Sequence, residues 1–193
     1  MEKLDKTDSG FELEITRQYF RGLVSAVHYC HEVQHISHRD IKPENILLGK
    51  YDKVKLCDFG VSEFFKSSTD LVNGATKGTY LFMSPEMVDP MRKKKGIHAK
   101  AGDIWACGIT LFNLLTRQYP FMARNPWELQ TKLLKNKPNL ELLDQRFGAD
   151  NEDLPKLKNL FLNLFEKDPE KRMKMASLKD DPWLTKDGEE EID

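Results

Sequence analysis

Between residues 101 and 115 the chain is almost continuously apolar: Ile104, Trp105, Ala106, Cys107, Ile109, Leu111, Phe112, Leu114 and Leu115. Apolar residues on every face of a helix require that helix to be wrapped by other elements on most of its surface. The run is shorter than the ~18 apolar residues a membrane span needs, so the wrapping is expected to be protein. The chain has 193 residues, 39% hydrophobic and 32% charged, which is the composition of a globular protein able to bury such an element.

Several segments can supply the cover. Residues 14–33 place Ile15, Tyr19, Phe20, Leu23, Val24, Val27 and Cys30 at spacings of three and four. That pattern predicts a long amphipathic helix. Further helices are expected over 127–135, opened by Asn125-Pro126, over 154–165, and over 177–184, capped by Ser177. Two short apolar runs, Ile46-Leu47-Leu48 and Val54-Lys55-Leu56, flank the turn-forming Gly49-Lys50-Tyr51-Asp52-Lys53 and read as a β-hairpin. Residues 63–79 lack periodicity and read as a long loop, a feature that in a compact domain is usually functional. Residues 1–10 read as loose and the acidic tail 187–193 as disordered. Trp105, Trp127 and Trp183 read as packing residues.

A formal net charge of -1 gives no general attraction to nucleic acid or to an anionic membrane. Cys30, Cys57 and Cys107 form no CxxC pair, which argues against a disulfide framework or zinc site and for a reducing compartment. No apolar leader is visible at the N-terminus. The expected location is the cytoplasm, with the nucleus as the other choice. Oligomeric state is not legible.

The chemistry is concentrated in His38-Arg39-Asp40-Ile41-Lys42-Pro43-Glu44-Asn45. Phosphoryl transfer needs a group to orient the attacking hydroxyl, ligands for magnesium, and positive charge near the transferred phosphate. Asp40 can accept the hydroxyl's hydrogen bond, Lys42 can neutralise developing charge, and Asn45 offers a carbonyl oxygen to a hard cation. Past the hairpin comes Asp58-Phe59-Gly60, where the returning strand can bring Asp58 to the same cation as Asn45.

These motifs, followed by Gly78-Thr79, Ser84-Pro85-Glu86 and Asp103-Ile104-Trp105-Ala106-Cys107-Gly108, together resemble the C-terminal lobe of eukaryotic protein kinases over residues 12–186. The resemblance implies a mainly α (α+β) fold, a helical bundle with a small β-hairpin. It implies serine/threonine kinase activity with ATP and Mg2+. Asp40, Lys42 and Thr79 match catalytic positions, and Asn45 and Asp58 match magnesium ligands. Leu47 matches the residue under the adenine ring. His38 and Phe59 match packing residues, and Asp103 the anchor of the loop backbone. Glu86 is expected to pair with Arg172. Finer likeness, in Asp58-Phe59-Gly60-Val61-Ser62, in 78–86, in Tyr119-Pro120-Phe121-Met122 and in Asp181-Pro182-Trp183-Leu184-Thr185, is to the calcium/calmodulin-dependent protein kinase kinase group. That group implies a protein substrate phosphorylated on the activation loop of another kinase.

The departures are specific. No G-x-G-x-x-G loop or strand lysine precedes the catalytic loop, so an N-lobe is expected to be absent, with 1–11 a lead-in and 187–193 a tail. Two readings follow: a fragment of a working kinase, or a catalytically silent interaction module of kinase descent. The surviving chemical residues favour the fragment, with weak activity on its own. Tyr80 and Ser84 depart from the family's usual residues in the segment expected to meet substrate. Arg92-Lys93-Lys94-Lys95 reads as a solvated basic insert. Thr69 and Thr76 are candidate phosphorylation sites whose phosphate could pair with Arg39, Thr76 being the better placed.

Overall fold

The computed structural model describes residues 2–3, 10–64, 71–72, 78–94 and 96–192. The candidate phosphorylation sites Thr69 and Thr76 lie outside them. In chain order the elements are β1 (Glu2–Lys3), α1 (Leu13–His28), β2 (Ile36–Ser37), β3 (Ile46–Leu48), β4 (Val54–Leu56), β5 (Glu63–Phe64) and β6 (Leu71–Val72). There follow α2 (Pro85–Val88), α3 (Pro90–Lys93), β7 (Ile97–His98), α4 (Ala99–Thr116), α5 (Pro126–Lys135), α6 (Glu141–Phe147), α7 (Leu154–Leu164), α8 (Met175–Lys179) and α9 (Pro182–Thr185).

α4 is the apolar run, and it is buried from Gly102 through Leu115. Helices α1, α6 and α7 pack on it. Trp105 is fully enclosed, stacked on Phe121 at 5.5 Å and met edge-on by Phe165 at 5.1 Å. The approach of the chain after α7 depends on Gly108: a Cβ there would stand 2.8 Å from the Phe165 ring. α1 buries Phe20, Leu23, Val24 and Val27, as its spacing predicts, although Ile15 points outward. Its last turn is π-helical, Tyr29–Val33, which shifts the register of Cys30 and His31 relative to a continuous α-helix.

The hairpin forms with Ile46 opposite Leu56, Leu47 opposite Lys55 and Leu48 opposite Val54. β1 adds a third strand along β3, so residues 2–3 are paired rather than loose. The segment read as one long loop holds β5, paired with β2, and β6, paired with β7.

Three further readings change. The helix expected over 177–184 is two short helices, because Pro182 cannot continue α8, and Asp181 rather than Ser177 caps the second by accepting from the Trp183 N–H at 2.9 Å. The acidic tail, described through Ile192, is held: Arg21 donates to Glu190 and to the Glu191 carbonyl, Lys186 pairs with Glu190 at 2.8 Å, and Ile192 is buried. Trp127 is 79% exposed, not packed, whereas Trp183 is in the core. Asn125 caps α5 as expected.

Candidate active site

The site is built from α4 outward. Asp103, fully buried in α4, accepts the backbone N–H of His38 on Oδ2 and that of Arg39 on Oδ1, each at 2.8 Å. Ser37 Oγ donates to the same carboxylate at 2.7 Å, and His31 Nε2 lies 2.7 Å from it. Burial acts to raise the Asp103 pKa, but these donors outweigh it and hold the carboxyl below its usual range. One carboxylate thereby fixes the backbone ahead of Asp40 from the most buried helix of the protein. Arg39 adopts φ +68, a conformation that needs such external support in a residue with a side chain.

Asp40, Lys42 and Thr79 converge. Asp40 Oδ1 accepts from both the N–H and the hydroxyl of Thr79, at 2.9 Å each. Asp40 Oδ2 lies 2.8 Å from Lys42 Nζ, which also donates to Thr79 Oγ1 at 2.6 Å. Burial raises the pKa of the Asp40 carboxyl, while the Lys42 ammonium and the two Thr79 bonds outweigh it and keep the group below the usual carboxylate range. It is therefore an anion at neutral pH. Gly78 makes the approach of Thr79 possible: its φ is +102, and a Cβ there would sit 2.4 Å from the Arg39 carbonyl oxygen.

Asn45 and Asp58 are linked through the hairpin. The Asn45 Nδ2 donates to the Asp40 carbonyl at 2.8 Å and to Asp40 Oδ2 at 3.1 Å, which leaves the amide oxygen as its remaining polar atom. The Cys57 N–H donates to the Asn45 carbonyl at 2.9 Å, so Asp58 follows directly on the residue that faces Asn45. Cys57 is half-buried and its thiol donates to that same carbonyl at 3.3 Å. Asp58 has φ +66, and its Oδ1 accepts from the Gly60 N–H at 3.3 Å. Leu47 lies two residues past Asn45 on the central strand of the β1-β3-β4 sheet, half-buried.

His38 and Phe59 meet edge-on at 4.7 Å, and His38 Nε2 lies 3.0 Å from the Cys57 carbonyl, so the ring braces the segment before Asp58. Phe59 itself remains 41% exposed. Glu86 and Arg172 form a bidentate, fully buried pair at 2.7 and 2.9 Å. Ser84, expected to meet substrate, is instead wholly buried, and Tyr80 lies in a turn with its hydroxyl enclosed. Arg92 is not simply solvated, since it donates to the Lys167 carbonyl at 2.6 Å. A cleft lined by Asp40, Gly78, Thr79, Phe82, Met83 and Met87 opens beside the Asp40 cluster. Sequence reasoning missed His31 and Glu63. The first had no signal beyond a helical spacing, and the second pairs with Arg39 across 24 positions of sequence.

The family model of the protein kinase domain matches residues 1–184. The chain is 36% identical over 96% of its length to the calcium/calmodulin-dependent protein kinase kinase cmkC of Emericella nidulans, covering 33% of that protein. It is 38% identical over 92% of its length to the serine/threonine-protein kinase CHK1 of Saccharomyces cerevisiae, covering 33%, and 32% identical over 96% to the CBL-interacting serine/threonine-protein kinase 20 of Arabidopsis thaliana, covering 39%. The chain thus spans between a third and two fifths of the length of these relatives. With a shared family model and serine/threonine kinases as its relatives, the chain belongs to the protein kinase domain family.

Proposed function

We propose that this protein transfers the terminal phosphoryl group of ATP to a serine or threonine hydroxyl of a protein substrate, with Asp40, Lys42 and Thr79 as the catalytic group. The observation that carries this reading is the mutual bonding of those three side chains around one ionised carboxylate. The Asp40 oxygens already accept four hydrogen bonds or ion-pair contacts, two from Thr79 and one each from Lys42 and Asn45. A carboxylate offers about four lone-pair directions, so an incoming hydroxyl must replace one donor. The Thr79 hydroxyl is the replaceable one: its proton can turn away from Asp40 while its oxygen keeps the Lys42 bond, whereas Asn45 is tied to two acceptors and Lys42 carries charge. Asp40 then receives the substrate hydroxyl's hydrogen bond, and Lys42 sits where charge develops on the transferred group.

The donor set suits magnesium. Among the described residues no group of three or more His, Cys, Asp or Glu side chains could hold a metal ion. The Asn45 amide oxygen and the Asp58 carboxylate are hard oxygen donors that would share one, with phosphate and water completing its shell, as magnesium prefers. Bound there, the ion would neutralise phosphate charge. Leu47 would contact the base of the nucleotide. Similarity to a kinase named for acting on kinases supports a substrate that is itself a protein kinase.

Transfer of labelled phosphate by the full gene product, wild-type against Asp40→Ala, tests the reading. Loss of incorporation in the variant is expected. Equal incorporation by both would show that Asp40 is not catalytic and would favour an interaction module.

A further inference from the structure

The turn of the β3–β4 hairpin is built from residues that do not suit it. Tyr51 has φ +61 and Asp52 φ +56, so two consecutive residues with side chains occupy the left-handed region. That region favours glycine and asparagine, and a bulky side chain is disfavoured there. The Tyr51 ring is not packed in the fold either, since the residue is 80% exposed. A large side chain that strains its own backbone and buries no surface points to a role outside the fold.

The surroundings of Tyr51 are basic. Lys50, Lys53 and Lys55 are all exposed, and among the described residues none of them forms an ion pair. Lys50 Nζ lies 4.9 Å over the Tyr51 ring. A Cβ on Gly49 would stand 3.6 Å from Lys55 Cε, so the Lys55 stem runs beside the turn and carries its ammonium to the same end of the hairpin. The hairpin is pinned from behind: Val54 meets α1 at Gly22, where a Cβ would stand 2.8 Å from Val54 Cβ. Strand alternation then turns Lys53 and Lys55 away from that contact. Asp52 is the acid of the turn, and it lies within electrostatic reach of the Tyr19 phenol on α1, whose pKa is raised by burial first and by Asp52 second. One acid against three lysines leaves the tip cationic.

We propose that this hairpin tip is a docking surface for an acidic segment of a partner protein, with Lys50, Lys53 and Lys55 taking its carboxylates and the Tyr51 ring an apolar side chain beside them. Three cations and one ring fit a short stretch of peptide. Recruitment to an anionic membrane draws on clusters of about four to eight basic residues. Single-stranded nucleic acid is held along a groove with successive stacking rings. The carboxylates of the partner supply the counter-charge that the described chain does not, which speeds encounter and fixes register. The inference stands apart from the kinase reading, because it uses neither Asp40 nor nucleotide.

The test titrates the isotope-labelled full gene product with a glutamate-rich peptide that carries one central leucine, followed by amide NMR shifts. Shifts are expected at residues 49–55, and binding should weaken as salt rises. Tyr51→Asn should raise the Kd by about tenfold, the loss expected for an aromatic anchor. The same variant should melt at or above the wild-type temperature, because Asn tolerates the left-handed region. Lys50→Glu/Lys53→Glu/Lys55→Glu should abolish the hairpin shifts. Peptide shifts confined to other surfaces, or wild-type affinity in Tyr51→Asn, would overturn the proposal. Melting of Tyr51→Asn well below wild type would make Tyr51 a structural residue and overturn it too. Tighter binding of phosphatidylserine vesicles or of oligothymidylate at the same amides would overturn the assignment of the partner as protein. None of these results bears on phosphate transfer, so the kinase reading stands or falls separately.

Discussion

Asp103 and Arg39, 64 positions apart in sequence, are joined by a 2.8 Å bond from the Arg39 backbone N–H to the Asp103 carboxylate. The bond makes the position of the loop that carries Asp40 a property of α4. Asp103→Asn keeps the shape and removes the charge, and its NH2 group must face donors that now lack an acceptor. Buried donors left unsatisfied cost about 1–3 kcal/mol each. The variant should therefore lose at least ~2 kcal/mol in urea unfolding and most of the proposed transferase activity. A variant with wild-type stability would show that the loop is held by other means.

Asp40 and Asp103 contribute to the acid limit of the protein. Both carboxyls are held below the usual range, Asp40 against its burial by Lys42 and Thr79, Asp103 against its burial by His31, Ser37 and Arg39. A depressed folded-state pKa favours the folded form wherever the group is ionised. Its contribution is fully present above the unfolded value of about 3.9 and is lost as pH falls through the lower folded value. Neither group should therefore produce a change in melting temperature or in kcat between about pH 6 and 8, and both should contribute to collapse well below pH 4. A wild-type kcat inflection near pH 6, with the Asp40 carboxyl resonance titrating in the same range, would contradict this assignment.

The buried Glu86–Arg172 pair allows a sharper stability experiment. Arg172→Met leaves the Glu86 carboxylate enclosed without its partner and should cost on the order of 3–5 kcal/mol. Arg172 also donates to the Glu166 and Ala101 carbonyls at 2.8 Å and lies 5.0 Å over the Trp105 ring, so the loss reaches beyond one ion pair. The double variant Glu86→Leu/Arg172→Met removes the stranded charge and should be more stable than Arg172→Met alone. Chemical denaturation of the three proteins measures the difference. A double variant less stable than the single would show that the pair contributes more than the removal of an isolated charge.

The motifs carried most of this site in plain view. The nearly continuous apolar run announced α4, and the two short runs around Gly49-Lys50-Tyr51-Asp52-Lys53 announced the hairpin with its pairing. Local sequence pointed to Asp40, Lys42 and Thr79, which the structure brings together. Long-range partners were another matter. His31 looked like any residue at the end of an amphipathic helix, and its meeting with Asp103 depends on the π-helical turn, for which the periodicity gave no sign. Glu63 lay in a stretch read as loop, and only the pairing of β2 with β5 brings it to Arg39. The tail looked disordered by composition, yet Arg21 and Lys186 wait for its carboxylates on surfaces that the sequence does not place together. The break between α8 and α9 is legible in Pro182, which cannot continue a helix begun before it.

The anchoring of His38 and Arg39 to Asp103 also bears on how the molecule breathes. Amides in connecting segments ordinarily exchange with solvent through small local openings, at far lower free energy than those of core helices. Here two loop amides donate into a carboxylate buried in the central helix. Releasing them demands that the helix itself yield, so their exchange should proceed by the same large-scale opening that frees α4. The loop that holds Asp40 is then irregular in outline but belongs to the slowest-opening unit of the fold.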